Sequence, residues 1–379
     1  MVSVPAAPAS PGSAITTTIS AHEHGDRPLD SPSVPPMPER VLTQRELNRA
    51  LLARQLLLKR TPLPRALERI GGIQAQYAPS MYIGLWSRLD GFRREFLTRA
   101  LERRTVVQGT LMRSTIHLVS ARDYWAFAVA VVRARRDHWL RAATMRPQER
   151  DLAAAARRLR RRLAERSPLS RTEVEEVVGK DHGFGVGLWF DLVRVPPSGT
   201  WERRRADLYA AAEERLGPPD VSPQEGIDFL VRRYLGGFGP ASRADIARFA
   251  GLPLRDIGPS LERLALRRFR DEAGAELLDL PRAPLPDAET PAPVRFLPTW
   301  DATLLSHTRR SGVLPEQYRA LVFNTRTHHS SCTFIVDGVV AGIWRHERGR
   351  ITIEPFERLD RSTRRKLDDE AEALSEFHA

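Results

Sequence analysis

The chain has 379 residues, 41% of them hydrophobic, which allows two or three domains with ordinary cores but contains no apolar run near the ~20 residues that span a bilayer. It carries 59 Lys plus Arg against 47 Asp plus Glu, a formal charge of +12, and so predicts attraction to polyanions, nucleic acid first and anionic membrane second. Its one cysteine, Cys332, excludes an intramolecular disulfide and a multi-cysteine zinc site and points to the cytoplasm.

Residues 1–38 are rich in Pro, Ala, Ser and Thr and nearly devoid of large apolar residues. They lack the basic-then-apolar order of a secretion signal. Such a segment buries too little to offset its ordering entropy and reads as a disordered tail. Thr43 followed by Glu46 predicts a capping box, with Leu47, Leu51 and Leu58 forming a helical stripe behind it. A second helix is expected over about 63–72, ended by Gly71-Gly72. Between that step and Pro79 lie Gln74 and Gln76, two residues apart, with Pro79 disfavouring helix at Ala78. Extended or loosely helical, the two amides could face one cavity. Each offers an acceptor oxygen and two donor hydrogens, which suits holding a water or gripping a base edge. An apolar helical pattern resumes over 81–89, and a third helix is expected over 93–103. Two β-like runs follow, 106–112 and 115–119, around a turn at Arg113 and Ser114. Helices followed by a two-stranded ribbon is the order of a winged helix.

Residues 123–142 read as a long amphipathic helix. The arginine run Arg157, Arg158, Arg160, Arg161, Arg162 and Arg166 could line a phosphate backbone, but such runs are more often a solvated helix face. Ser170 with Glu173 predicts a second capping box, an apolar helix is expected over 188–192, and Val193 to Pro197 could open a second wing. The third module has the clearest signals: a helix over 227–235, a turn at Gly236 to Pro240, a helix over 243–250 capped by Ser242, a candidate recognition helix over 254–265, and a hairpin around Ala273-Gly274. A Pro-rich linker at 281–294 leads to a strand-rich end. There Asp337-Gly338 predicts a hairpin turn, and 360–376 a terminal helix. The expected organisation is therefore a tail over 1–38, a first winged helix with a long helix over 39–150, a second over 151–222, and a third with a β-rich end over 223–379. The fold class is α+β, mostly helical.

Several stretches together resemble a known family, the winged-helix DNA glycosylases of the azinomycin-resistance type, related to the bacterial YcaQ glycosylases. They are Gln74-Ala75-Gln76, the run from Gly109 to Val119, the Gly239-Pro240 helix-turn-helix, Leu297 to Asp301, and the run from Val336 to Arg345. They fall in order between about residues 41 and 360. The resemblance implies three tandem winged-helix units in a C-shape around duplex DNA. It implies removal of alkylated purines by hydrolysis of the N-glycosidic bond, with Gln74 and Gln76 catalytic. The YcaQ branch has aspartate at the second position, so Gln76 places this chain nearer the azinomycin-resistance branch. The family also has a β-hairpin that reaches into DNA; its match here is the loop with Arg326, Thr327, His328 and His329.

An amide cannot take a proton at neutral pH, so both glutamines are poor general bases. An N7- or N3-alkylated purine is cationic and leaves readily. What remains is to hold a water beneath the sugar and stabilise an oxocarbenium-like centre, which amide oxygens can do by position and dipole. Without the resemblance, the glutamines would read as surface or helix-end amides. Arg113, Ser114 and Thr115 at the wing turn could hold phosphate, or be a strand edge with a structural arginine. His117 could contact nucleic acid or be a satisfied core histidine, and Arg345 joins the DNA-contact set. His328 and His329 have no carboxylate at ligand spacing, so no metal or other cofactor is expected. Asp301 could serve as a hidden base or, more simply, as a cap. The expected partner is double-stranded DNA bearing alkylated purines, met by a monomer. The alternative is a winged-helix DNA-binding protein without chemistry, acting as a regulator or a lesion shield.

Overall fold

The computed structural model describes residues 39–60, 65–142, 148–182, 185–308, 312–324 and 329–379. The tail expected over 1–38 lies outside them. Strand β1 (Val41–Leu42) leads into helix α1 (Gln44–Arg54). The expected capping box opens α1: the Thr43 side chain accepts from the Glu46 N–H, and the Glu46 carboxylate accepts from the Thr43 N–H at 2.8 Å. Helix α2 (Ala66–Ile70) stops two residues before the expected end, because Gly71 at φ 75° and Gly72 at φ 82° turn into the left-handed region, while the expected start at 63 and 64 lies outside the described residues. A Cβ on Gly72 would meet Val119 Cγ1 at 2.9 Å, so the turn into strand β2 (Ile73–Gln74) needs glycine. Helix α3 (Ala78–Trp86) corrects the reading of Pro79. Ala78 is its first helical residue, and the proline sits in the first turn, where a missing N–H leaves no bond unmade. Helix α4 (Arg94–Glu102), strands β3 (Val106–Thr110) and β4 (Ile116–Ser120), and the long helix α5 (Ala121–Ala142) follow much as expected.

Helix α6 (Glu149–Glu165) buries Leu152, Ala155, Ala156, Leu159 and Leu163 and leaves Arg157, Arg158, Arg160 and Arg161 exposed. The arginine run is thus a solvated face. Strand β5 (Leu169–Ser170) and helix α7 (Arg171–Val178) carry the Ser170–Glu173 capping box. The apolar helix expected over 188–192 is absent. A 3-10 turn over Gly185–Leu188 gives way to strand β6 (Leu192–Arg194), where Val193 pairs with Gly109 on one side and Ala210 on the other. Those ladder partners override the local pattern. Strand β7 (Leu208–Ala211) and helix α8 (Ala212–Leu216) close this region.

Helix α9 (Pro223–Phe238) is longer than its apolar core predicts, because Ser222 and Glu225 form a capping box with Pro223 at the first position. Helices α10 (Arg243–Ala250) and α11 (Leu254–Arg263) precede strands β8 (Arg267–Asp271) and β9 (Glu276–Asp279), which turn at Gly274. The remainder comprises strand β10 (Arg295–Leu297), helices α12 (Ala302–Leu305) and α13 (Arg319–Val322), strands β11 (Phe323–Asn324), β12 (His329–Ser330), β13 (Thr333–Val336), β14 (Val339–Glu347) and β15 (Arg350–Pro355), and helix α14 (Arg361–His378). Strands β13 and β14 turn on Asp337 (φ 48°) and Gly338 (φ 84°), the Asp-Gly hairpin expected.

The fold is mixed, with about half of it helical. Strands β2-β4-β3-β6-β7-β5 form one six-stranded sheet, so the ribbons of the first two regions are joined edge to edge. Strand β1 adds in parallel to the β8–β9 hairpin, and β10-β13-β14-β15 form an antiparallel sheet against which α14 packs. Helix α9 lies against α1, α2, α5, α10 and α11. Its Leu230, Val231, Tyr234, Leu235 and Phe238 share one core with Leu51, Leu52, Phe127, Val131 and Phe249. Each such side chain contributes roughly 1.5–3 kcal/mol on burial. Arg54 and Asp279, both fully buried, meet bidentately at 2.6 and 2.9 Å, and Arg54 also donates to the Leu235 carbonyl. Residues 39–379 form one compact unit.

Candidate active site

Gln74 sits where the left-handed glycine step delivers the chain to the edge of the six-stranded sheet. On β4, Ile73 faces Leu118 and Gln74 faces His117. The ladder gains one further bond, from Ala75 N to the Ile116 oxygen at 2.7 Å. Gln74 is 8% exposed, whereas Gln76 lies exposed at the surface. Gln76 Oε1 accepts from Ile116 N at 2.8 Å, and Gln74 Oε1 accepts from Arg113 Nη2 at 3.3 Å. Both donors are N–H groups, so they fix which end of each amide is oxygen. Each oxygen retains a second lone pair, and neither NH2 group has a partner among the described residues. The segment 113–116 therefore orients both amides.

Arg113 (φ 53°) and Ser114 (φ 58°) form the left-handed turn between β3 and β4. The Arg113 guanidinium also donates to the Phe249 carbonyl at 2.6 Å and lies over the Phe249 ring at 5.1 Å. One side chain thus ties the Gln74 amide to α10, Arg113 and Phe249 standing 136 residues apart in the chain. Ser114 is exposed at the turn, and Thr115 Oγ1 donates to the Met112 carbonyl at 3.1 Å.

His117 departs from its expected DNA contact. It is 2% exposed and holds Nδ1 at 3.0 Å from the Thr115 carbonyl, which makes Nδ1 the N–H of a neutral ring. Burial first, then the nearby Arg113 and Arg135 charges, lower its pKa to about 3. Its neighbour on the other side is Gly109, where a Cβ would strike the Tyr124 ring at 2.5 Å. Glycine there admits the tyrosine ring beside His117, and the histidine supports the rung carrying Gln74.

Arg345, on β14, keeps 58% of its side chain exposed and pairs with Glu354 at 3.3 Å. It lines a cavity of about 340 Å³ that also includes Tyr77, Trp201 and Arg204. Arg204 Nη1 donates to the Tyr77 hydroxyl at 3.2 Å. Tyr77, 45% exposed, directly follows Gln76, so this cationic rim adjoins the glutamine segment. An exposed aromatic beside the motif was the available signal for Tyr77. Nothing in the sequence brings Arg204 to it. His329 opens β12 opposite Asn324, so residues 325–328 join an antiparallel pair. Arg326, Thr327, His328 and the His329 side chain lie outside the described residues.

Asp301 is a cap rather than a base. It accepts from the Thr303 N–H at 3.0 Å and meets Arg88 bidentately at 2.9 and 3.0 Å. Burial pushes its pKa up, but the Arg88 guanidinium outweighs that and holds it below the usual carboxylate value. Among the described residues, no three His, Cys, Asp or Glu side chains gather to hold a metal ion, and no helix is long and apolar enough to cross a membrane.

The family model described as "DNA glycosylase AlkZ-like" matches residues 67–377. The chain belongs to the AlkZ-like DNA glycosylase family. The matched span includes both glutamines, the 113–115 turn and the whole of the C-terminal sheet. Membership makes the protein a DNA glycosylase, with DNA as the substrate of the family. Among solved structures, the Streptomyces sahachiroi DNA glycosylase AlkZ shares the fold with a TM-score of 0.76 at 19% identity, over 89% of this chain and 97% of that one. No curated protein matches the chain.

Proposed function

We propose that this AlkZ-like protein is a monofunctional glycosylase that hydrolyses the N-glycosidic bond of cationic alkylated purines. Its substrates are N7 and N3 adducts in duplex DNA, bulky and interstrand-crosslinked ones included. The observation that carries this is the pair of amides held by the 113–116 turn, with no carboxylate, histidine or lysine in the 71–80 stretch that bears them. Such a site can position but cannot protonate, so it suits a base that already carries positive charge. Water adds to the anomeric carbon, the carbon–nitrogen bond breaks, its electron pair neutralises the purine, and the spare proton goes to solvent. The free lone pairs of the two oxygens hold the water and face the developing positive charge on the sugar.

A lyase activity would need an amine nucleophile. The chain has three lysines, Lys59, Lys180 and Lys366, all exposed and none in the segments that build the site. The exposure of Gln76 and Tyr77 favours reading a lesion at the surface, without drawing it into a deep pocket. That accommodates adducts too bulky to flip fully.

In this reading, residues 39–150, 151–222 and 223–379 are three winged-helix units acting as a monomer on the nucleoid in the cytoplasm. Helix α11 serves as a recognition helix, the wing turn 113–115 touches phosphate, and the β11–β12 hairpin enters the groove. The role is repair of alkylation damage, or self-resistance to a DNA-alkylating natural product. The test is a duplex bearing N7-methylguanine. Free base should be released without strand cleavage, and release should be lost in Gln74→Ala and Gln76→Ala. Tight binding with no release would replace the enzyme reading with that of a regulator or lesion shield.

A further inference from the structure

Away from the glutamines, a second feature lies where the first two regions meet. A cavity of about 70 Å³ opens between β3, α5, α7, β6 and β7. Its volume is several times the ~10–15 Å³ that one water needs. Arg135 projects into it from α5. Its residue exposure is 6%, its Nε is buried without a partner, and it makes no hydrogen bond or ion pair with any described residue. Arg194 enters from β6, spending Nη1 on Thr110 Oγ1 at 3.1 Å while its own Nε stays buried and unpartnered. The hydroxyl of the buried Tyr124 also lacks a hydrogen-bond partner among the described residues. Two carboxylates line the cavity. Glu175 is tied to Arg171 at 2.7 Å, and Asp191 forms no ion pair with Arg135.

A buried guanidinium without a partner is costly, and the usual remedy is an anion accepting several of its N–H donors. The converging donors here are two planar forks and a phenol, a set matched to a tetrahedral oxyanion. We propose that this cavity binds a small phosphate-type oxyanion, either the free ion or the terminal phosphate of a nucleotide, held by Arg135 and Arg194 with Tyr124 as the third donor. Asp191 competes with the anion for Arg135. The bound ion bridges α5 to β6 and sits beside Thr110, the cross-strand partner of Ile116, whose N–H holds Gln76.

The full chain, free of DNA, is titrated with inorganic phosphate and separately with dGMP at constant ionic strength, followed by phosphorus NMR line width and isothermal titration calorimetry. Saturable one-to-one binding is expected, weakened at least tenfold in Arg135→Met and unchanged in the surface variant Arg158→Gln. Asp191→Asn removes the competing carboxylate and should bind several-fold tighter. Tighter binding of dGMP than of phosphate would make a nucleotide the source of the anion, and equal or weaker binding the free ion. If the wild-type chain shows no saturable binding, or Arg135→Met binds as well as wild type, the proposal fails. Should Arg135→Met not fold, Asp191→Asn decides. Tighter binding then supports the site, and unchanged or weaker binding means that Asp191 serves Arg135 through water and no anion belongs there.

Discussion

Gln76→Ala separates a catalytic amide from an ornamental one. Gln76 is exposed, and its oxygen makes one hydrogen bond, to Ile116 N at 2.8 Å. Such a bond contributes about 0.5–1.5 kcal/mol when fully buried and less at a surface, so the variant should unfold in urea within about 1 kcal/mol of the parent. If the same oxygen holds the attacking water and faces the oxocarbenium, its loss resembles removal of one preorganised stabilising group, about 10²–10³ in rate or roughly 2.7–4 kcal/mol. The expected result is therefore a kinetic defect several times larger than the stability defect. Single-turnover release of N7-methylguanine from duplex DNA measures the first and urea unfolding the second. Gln76→Glu sharpens the contrast. Its carboxylate can still accept from Ile116 N and adds a full negative charge near the sugar. It should keep most of the activity at neutral pH and lose it as pH falls through ~4.3. A normally folded Gln76→Ala releasing base within about tenfold of the parent rate would refute the reasoning.

Three further outcomes follow from the geometry. Asp301→Asn leaves the buried Arg88 without its counter-charge and should cost about 3–5 kcal/mol in urea unfolding, while specific activity per folded molecule stays constant; a new pH dependence of base release would instead restore Asp301 as a base. His117 has a folded pKa of about 3 against an ordinary 6.5, so the unfolded chain binds the extra proton first; its contribution to stability is complete above pH ~6.5 and is lost on acidification towards pH 3, at up to ~1.4 kcal/mol per pH unit, and His117→Gln should flatten that limb of the stability–pH curve. Arg345→Gln should weaken DNA binding, with the slope of log affinity against log salt falling by about one and single-turnover release at saturating DNA unchanged; an unaltered salt slope would remove Arg345 from the interface.

Local chemistry was readable wherever neighbours in sequence determine it. The capping boxes at Thr43 and Ser170 and the Ser242 cap, the Asp337-Gly338 turn, the β3–β4 ribbon and the Gly71-Gly72 break all appear where their residues predict them. The glutamine motif could be located, but its environment could not. Its anchors are a backbone N–H some 40 residues away and an arginine held by Phe249, and neither leaves a periodic trace. Edge-to-edge joining of β3 and β6 depends on partners far apart in the chain, Gln108 with Arg194 and Gly109 with Val193, so residues 188–192 read as helix when taken alone. Pro79 misled because proline forbids one helical position and favours another, and only the strand before it shows which applies. Arg135 falls within the amphipathic helix expected over 123–142, and nothing local in the sequence sets it apart. Its isolation emerges only when the second region closes over it.

The opening of the chain is stitched to its far end. Strand β1 pairs with β8, Arg54 with Asp279, and Arg49 and Asn48 grip the Asp337-Gly338 turn, the last link joining residues 288 apart. A ribosome adding ~5–20 residues each second takes roughly 15–60 s to cover that distance. Until residues 337 and 338 emerge, Asn48 and Arg49 lack these partners, so the face of α1 that meets the turn should depend on chaperone shelter over that interval.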